Sequence, residues 1–433
     1  MLTHGGLSSL TYVSRTTPVH ASIFDPLDTV IAHEFLPVLK LPSEHLALFG
    51  LPAKHGGLGI PSLSLWSTKN YEMSKLITSP LVAAGTSGLG NPPSAEDCRA
   101  ARLSAHKLSE EEHTLHRNHV LDELHLTNLE MFRVVKDLSI ESPREFPFKF
   151  PRDSSLPPEP HGPHPAKGTS LMFTALPSKE LGLSFSRFDF LDLLAIRYHL
   201  PHANLPTHCS CKDHPVFTQN HGETCSKGGL LIWRHNEIRD FLASAFNLIC
   251  HAHVATEPQL HPLHAADAFA LRSANVEEKA KSDVLLVEGL FSDNRLTYID
   301  VRCFNRSADS YVRLSLDQCL ASQERTKRNQ YAERIDVVEH ADFSPFVVSS
   351  SGAVGPAAHH ILQIIASRIA SKTDQPYSET LMLLRTQLSF HIAKAAIRCL
   401  RAPREPPKNL TTDIWALSPF YAGCLTGMGA PLP

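Results

Sequence analysis

Asp283 and Asp300 stand on two short apolar runs, "SDVLLVEG" and "LTYIDVRCFN", and their spacing makes them the first candidates for chemistry. Each run is rich in branched apolar residues and bounded by turn-forming or charged ones. That pattern predicts two strands, with "FSDN" at 291–294 as the reversal between them. In an antiparallel hairpin, facing positions lie equally far from the turn. The midpoint of 283 and 300 falls between Phe291 and Ser292, so the two carboxylates are expected side by side. Strand alternation sets Asp300 on one face with Tyr298, Arg302 and Phe304, and turns Ile299, Val301 and Cys303 to the other. Adjacent carboxylates that resist ionising together are stabilised by a divalent cation between them, the arrangement of metal-assisted phosphodiester hydrolysis. Mg²⁺, or Mn²⁺ in its place, is the expected ion. Arg302 stays protonated and cannot shuttle a proton. Lys327 can orient a water or offset charge, and it lies on the helical stretch "SQERTKRNQYAERIDVVEH" one turn before Tyr331. Glu257, in the strand expected at "HAHVATEPQL", is a third candidate to face the metal.

A second cluster lies upstream. In "CSCKDHPVFTQNHGETC", Cys209, Cys211, His221 and Cys225 are four soft or borderline ligands suited to tetrahedral zinc, with His208 and His214 as alternative fourth ligands. A third of the nine cysteines fall in these seventeen residues, which the rest of the chain does not repeat. Four protein ligands leave no open position, so Zn²⁺ here is expected to be structural. "RHNEIRDFLASAFNLIC" follows as a helix with Ile238, Leu242, Phe246 and Ile249 as its buried stripe. Arg234 and His235 near its start, with Arg302, are the candidates for contact with nucleic-acid phosphates.

These clusters need elements to carry them, and the 433 residues divide by composition. Residues 1–75 have helical spacing in "FDPLDTVIAHEFLPVL" and a glycine-bearing turn at "KHGGLG", with no GK[ST] after it to suggest a phosphate loop. Residues 76–141 include an amphipathic stretch from Ser94 to about Ser139 that predicts one or two long helices. Residues 142–168 are too proline-rich for a helix or an interior strand and read as a linker. Residues 169–226 hold a helix carrying Phe190, Leu191, Leu194 and Tyr198, then the Cys/His cluster. The acidic strands fall in 227–352, two helices in 353–401 and a proline-bearing tail in 402–433. Arg385, Lys394, Arg398 and Arg401 form a cationic row on the last helix, expected to be solvated or to meet a nucleic-acid backbone. The net charge of −3 gives no overall attraction to a polyanion, so such binding must come from local patches. Clustered, otherwise solitary cysteines argue against a disulfide framework. No apolar run reaches membrane-spanning length, so an intracellular protein, nuclear or cytoplasmic, is expected.

Taken in order, these residues resemble a known family. "RHNEIRDFLA", "TEPQL", "SDVLL", "YIDVRCFN" and "KRNQY", preceded by the Cys/His cluster, resemble the C-terminal restriction-like endonuclease region of non-LTR retrotransposon polyproteins, over most of residues 168–400. The acidic pair resembles the PD-(D/E)xK pattern, with "DVR" where the D/E-x-K tripeptide would stand. The resemblance implies an α/β, restriction-endonuclease-like core (helix, strands, helix, strand), preceded by mostly helical segments and a small zinc-binding knuckle. It implies a catalytic lysine in a K-x-x-x-Y motif after the second acidic strand, matched by Lys327 and Tyr331. It also favours His221 in a C-x-C…H-x₃-C knuckle and sets "RHN" close to the site. The activity implied is Mg²⁺-dependent cleavage of DNA, with RNA left open as a partner. The alternative is a non-catalytic, zinc-stabilised nucleic-acid-binding remnant. "LPAKHGGLGI" resembles the segment after the polymerase palm of the same polyproteins, yet no YxDD-like turn is present. Polymerisation is therefore not expected, and residues 1–75 read as a remnant of a longer polyprotein.

Overall fold

The computed structural model describes residues 6–86, 92–128, 131, 171–251, 254–263, 271, 276–277, 279–291, 295–306, 308–311 and 314–404. The proline-rich stretch at 142–168, the reversal at 292–294 and the tail from 405 lie outside the described residues. The chain forms two compact units, Met1–Ile140 with Leu194–Leu200, and Glu141–Leu193 with Pro201–Pro433. Among the described residues no helix is long and apolar enough to cross a membrane.

The first unit is helical, with α1 (Gly6–Thr16), α2 (Leu63–Thr86) and α3 (Ala95–Thr127) as its main elements. α3 is one continuous helix, capped by Ser94, whose hydroxyl accepts from the Asp97 amide at 2.9 Å. Buried Asp28 accepts from the Leu63 amide and the Ser62 hydroxyl at 3.2 and 2.7 Å, satisfying donors at the start of α2. The glycine stretch at 55–59 is a tight turn. A Cβ on Gly57 would sit 2.0 Å from the Leu51 carbonyl oxygen, so only glycine fits there. The helix α4 (Arg187–Tyr198) brings the Arg197 guanidinium to the Ala53 carbonyl at 3.1 Å and the Tyr198 hydroxyl to that of Gly56 at 3.0 Å. Those bonds assign Leu194–Leu200 to the first unit, which the sequence boundary at 142–168 did not anticipate.

The second unit is a mixed α/β structure around a four-stranded sheet in the order β1 (Ala255–Thr256), β2 (Val284–Leu286), β3 (Thr297–Phe304), β4 (Asp342–Ser349). The first three strands are antiparallel, and β3 and β4 are parallel. Parallel neighbours need a crossover, here made by α7 (Leu316–Val338). Preceding the sheet are the short α5 (Gln219–Thr224) and α6 (Leu230–Asn247); α8 (Pro356–Thr373) and α9 (Tyr377–Arg401) follow it. Alternation along the strands divides the core. Val284, Leu286, Ile299, Val301, Phe346 and Val348 pack against α6, α8 and α9. On the opposite face, Phe304 and Val347 meet Leu316 and Leu320 near the start of α7, and Tyr298 meets Ile335 near its end. Pro345 can sit in β4 because that strand is an edge of the sheet.

Candidate acidic site and metal-binding knuckle

On the face covered by α7, polar residues interrupt the apolar contact. The sheet-facing stripe of α7 runs Leu316, Leu320, Glu324, Lys327, Tyr331, Ile335, with Lys327 and Tyr331 half-buried, so a glutamate and a lysine occupy positions where helical spacing calls for apolar side chains. Opposite them lies Asp300, 3 % exposed. The register pairs Val284 with Ile299, the same register in which Asp283 faces Asp300, and the Asp283 amide donates to the Ile299 carbonyl at 3.2 Å. Facing residues of an antiparallel pair share a face, so the spacing argument and the observed register agree.

Each charged group of this cluster has an internal counterpart. Asp283 Oδ1 lies 2.8 Å from His235 Nε2 on α6, and Oδ2 accepts from the Val301 amide at 2.6 Å. The Lys327 ammonium is 2.6 Å from Asp300 Oδ2, as an ion pair, and sits over the Tyr331 ring at 5.5 Å. Burial first, and then the neighbouring Asp283 charge, push the Asp300 carboxyl up to about 6, while Lys327 and His235 pull it down. Two carboxylates and a lysine thus meet at one place, with a histidine orienting one acid and an aromatic ring under the lysine.

Other candidates lie elsewhere. Arg302 is exposed on the Asp300 face of β3. Glu257 stands opposite Asp283 in register but just past the end of β1, with left-handed backbone (φ 52). Arg239 and Lys281 hold its exposed carboxylate, so it is a surface ion pair rather than a strand residue aimed at a metal. Arg234 is 5 % exposed, and its guanidinium donates to the carbonyls of Glu223 and Cys303 at 3.1 and 3.4 Å; no phosphate can reach it there. Three of the four cations in the row on α9 are engaged too. Arg401 pairs with Asp192, Lys394 donates to the Gly182 carbonyl at 2.9 Å, and Arg398 stacks 3.8 Å from the Trp233 ring. Sequence reasoning missed Glu324, whose buried carboxylate accepts from the Ala357 amide at 2.9 Å at the start of α8. Its place in an apolar stripe was the available signal.

The upstream cluster closes on itself. Ligand atoms of Cys209, Cys211, His221 and Cys225 all lie within 4.8 Å of one another, and these four could hold a zinc ion. The Cys209 and Cys225 sulfurs are 3.8 Å apart, and the Cys211 sulfur is 3.7 Å from His221 Nε2. Tetrahedral zinc with Zn–S of about 2.3 Å and Zn–N of about 2.0 Å sets such ligands roughly 3.5 to 3.8 Å apart, so the donor set fits. His208 and His214 are not in the cluster. The His208 ring contacts Thr207 Oγ1 at 3.3 Å, and His214 Nδ1 faces the Cys209 carbonyl at 3.1 Å. Burial pushes the Cys209 thiol up, but hydrogen bonds with the Cys211 amide, His221 and the Cys211 and Cys225 thiols together outweigh it and bring it down to about 6. Thr218 caps α5, accepting from the His221 amide at 3.1 Å and fixing that ligand on the helix's first turn.

No protein-family model matches the chain, and no curated protein matches it in sequence. What these residues can do is therefore a matter of their geometry.

Proposed function

We propose that the second unit is a metal-dependent phosphodiesterase module acting on DNA, with a restriction-endonuclease-like core and Zn²⁺ as a structural ion in the knuckle. The observation that carries this reading is the meeting of buried Asp300 with half-buried Asp283 and Lys327 between the sheet and α7. Asp283 and Asp300 would hold Mg²⁺ or Mn²⁺, and such a cation supplies Lewis-acid stabilisation of charge developing on the phosphoryl oxygens. His235 holds the Asp283 carboxylate in place through Oδ1 while the Val301 amide holds Oδ2. Lys327 orients the attacking water and offsets negative charge as the bond to the leaving oxygen breaks. Exposed Arg302 contacts a phosphate outside the reacting one. Tyr331 supports the lysine through its ring.

Nicking of supercoiled DNA in Mg²⁺ or Mn²⁺ tests this. Asp283→Asn and Asp300→Asn are expected to abolish cleavage, Lys327→Ala to lower it by at least two orders of magnitude in the manner of a lost charge-stabilising group, and Arg302→Ala to weaken it only severalfold. A chelator should stop the wild type. If Arg302 proves indispensable and Lys327 dispensable, the assignment of the lysine fails.

A second reading is a non-catalytic, zinc-stabilised nucleic-acid-binding protein. It is favoured by the internal pairing of every charge in the cluster, Asp283 with His235 and Asp300 with Lys327. Equal DNA or RNA binding by the wild type and all variants, with no cleavage by any, would decide for it.

A further inference from the structure

We propose that Arg234 is a positioning residue that ties the Cys/His knuckle to the acidic pair, so that a metal held by Cys209, Cys211, His221 and Cys225 sets the order of the strand bearing Asp300. Arg234 is buried, among the described residues it has no carboxylate in an ion pair, and its two terminal nitrogens divide between two elements. One donates to the Glu223 carbonyl, in the short helix between ligands His221 and Cys225. The other donates to the Cys303 carbonyl on β3, three residues from Asp300. A guanidinium is a rigid planar fork, so fixing one carbonyl fixes the other relative to it. The next residue, His235, holds Asp283. One helical step therefore joins the knuckle to both strands of the acidic pair.

Two further bonds run in parallel. Asn305, just beyond β3 and buried, donates to the Asn220 side chain on α5 at 2.8 Å. Arg404 donates to the Gly222 carbonyl at 2.9 Å and lies over the Phe217 ring, holding the same short helix from the other side. The chain then enters α6 through Gly228 and Gly229, both left-handed at φ 81 and 69. A Cβ at Gly228 would come within 3.0 Å of the Arg404 carbonyl oxygen, so the knuckle has little room to move independently. α5 has only six residues and cannot hold its own shape in water. Zinc bound at His221 and Cys225 is what would keep the Glu223 carbonyl where Arg234 needs it.

Amide hydrogen exchange on the full chain, zinc-loaded and zinc-stripped, tests the coupling without using cleavage. In the wild type, zinc removal should raise exchange about tenfold in 297–304, including the Val301 amide that holds Asp283, as well as in 207–225. In Arg234→Gln the knuckle should remain protected by zinc, while 297–304 exchanges faster and no longer responds to zinc. Arg234→Lys, which keeps the charge but reaches one carbonyl, should fall between the two and takes the place of Arg234→Gln if that variant does not fold. Asn305→Ala should weaken the response without abolishing it. Exchange changes confined to 207–225 on zinc removal, or an Arg234→Lys protein that responds like the wild type, would overturn the proposal. Because the inference rests on Asp283 and Asp300 holding a cation, zinc release to a chromophoric chelator is measured alongside. Mg²⁺ should lower the zinc released at equilibrium severalfold in the wild type and by less in Arg234→Lys, since coupling between the affinities of two sites is reciprocal. Strand exchange that follows zinc while Mg²⁺ leaves zinc release unchanged would keep the coupling and remove the metal-holding role of the acids.

Discussion

The informative residues are those whose charge is buried. Asp300 and Lys327 have side chains only 5 % and 17 % exposed, and their ion pair sits between two apolar patches of the α7 interface. Such a pair adds little net stability over apolar residues of similar size, but losing one partner strands the other. Lys327→Met is therefore expected to destabilise the metal-free protein at pH 8 by about 3 kcal/mol, and Asp300→Leu combined with Lys327→Met to recover most of that loss. Urea unfolding in chelator measures both. Equal stability of Lys327→Met and wild type would mean that Asp300 does not need the lysine to stay buried. The knuckle offers a parallel test. Cys225→Ala removes a ligand that is itself buried, so metal analysis should find zinc in the wild type and none in the variant. Metal-free wild type that is otherwise well folded would dispose of the zinc assignment.

At the scale of elements, what could be read in the sequence was whatever local periodicity determines. β2 and β3 showed as branched apolar runs, α7 as a helical stretch, α8 and α9 as two helices in 353–401, and the facing of Asp283 and Asp300 followed from equal distances to one reversal. What could not be read depended on tertiary placement. Arg234 and Arg401 look like surface cations because charge is usually solvated, yet one clamps two carbonyls and the other closes on Asp192. Glu257 has the register of a metal-facing strand residue, but its left-handed backbone and two cationic neighbours take it elsewhere, and neither is encoded in spacing. Glu324 belongs to the same class. It braces α7 against the start of α8 so closely that a Cβ at Gly355 would sit 2.5 Å from Glu324 Oε1 and 3.2 Å from the Val347 carbonyl. Gly355→Ala should therefore cost about 1 to 3 kcal/mol of stability, since either the carboxylate or the β4 backbone must shift. Adding Glu324→Ala should not make matters additively worse, because the two changes relieve the same crowding. Additive losses in chemical denaturation would show that Glu324 and Gly355 do not share a contact.

At the scale of the whole molecule, a response to acid is built into the first unit. The first unit half-buries histidines around Trp66, whose ring centroid is 4.4 Å from that of His113 and 5.6 Å from that of His116. His55 lies in the turn after Pro52, next to the Lys54–Glu110 ion pair. Burial first, then the charges of Lys54 and Arg117, lower its pKa from 6.5 to about 4, with Glu110 opposing; burial lowers His113 and His116 as well. An unfolded chain takes up a proton at His55 near pH 6.5, and the folded one only near 4. The unfolded state thus binds more protons throughout that interval, and stability rises with pH across it. His55 costs the fold nothing above pH 6.5, where it is neutral in both states, and its burial destabilises the fold progressively as pH falls toward 4. Hydrogen exchange followed from pH 7 down to 4.5, corrected for the intrinsic rate, should show loss of protection in 46–66 of the first unit. His55→Gln, which cannot be protonated, should flatten most of that dependence. Protection in 46–66 that stays constant across the interval, or that falls equally in His55→Gln, would mean these half-buried histidines do not govern how this unit opens in acid.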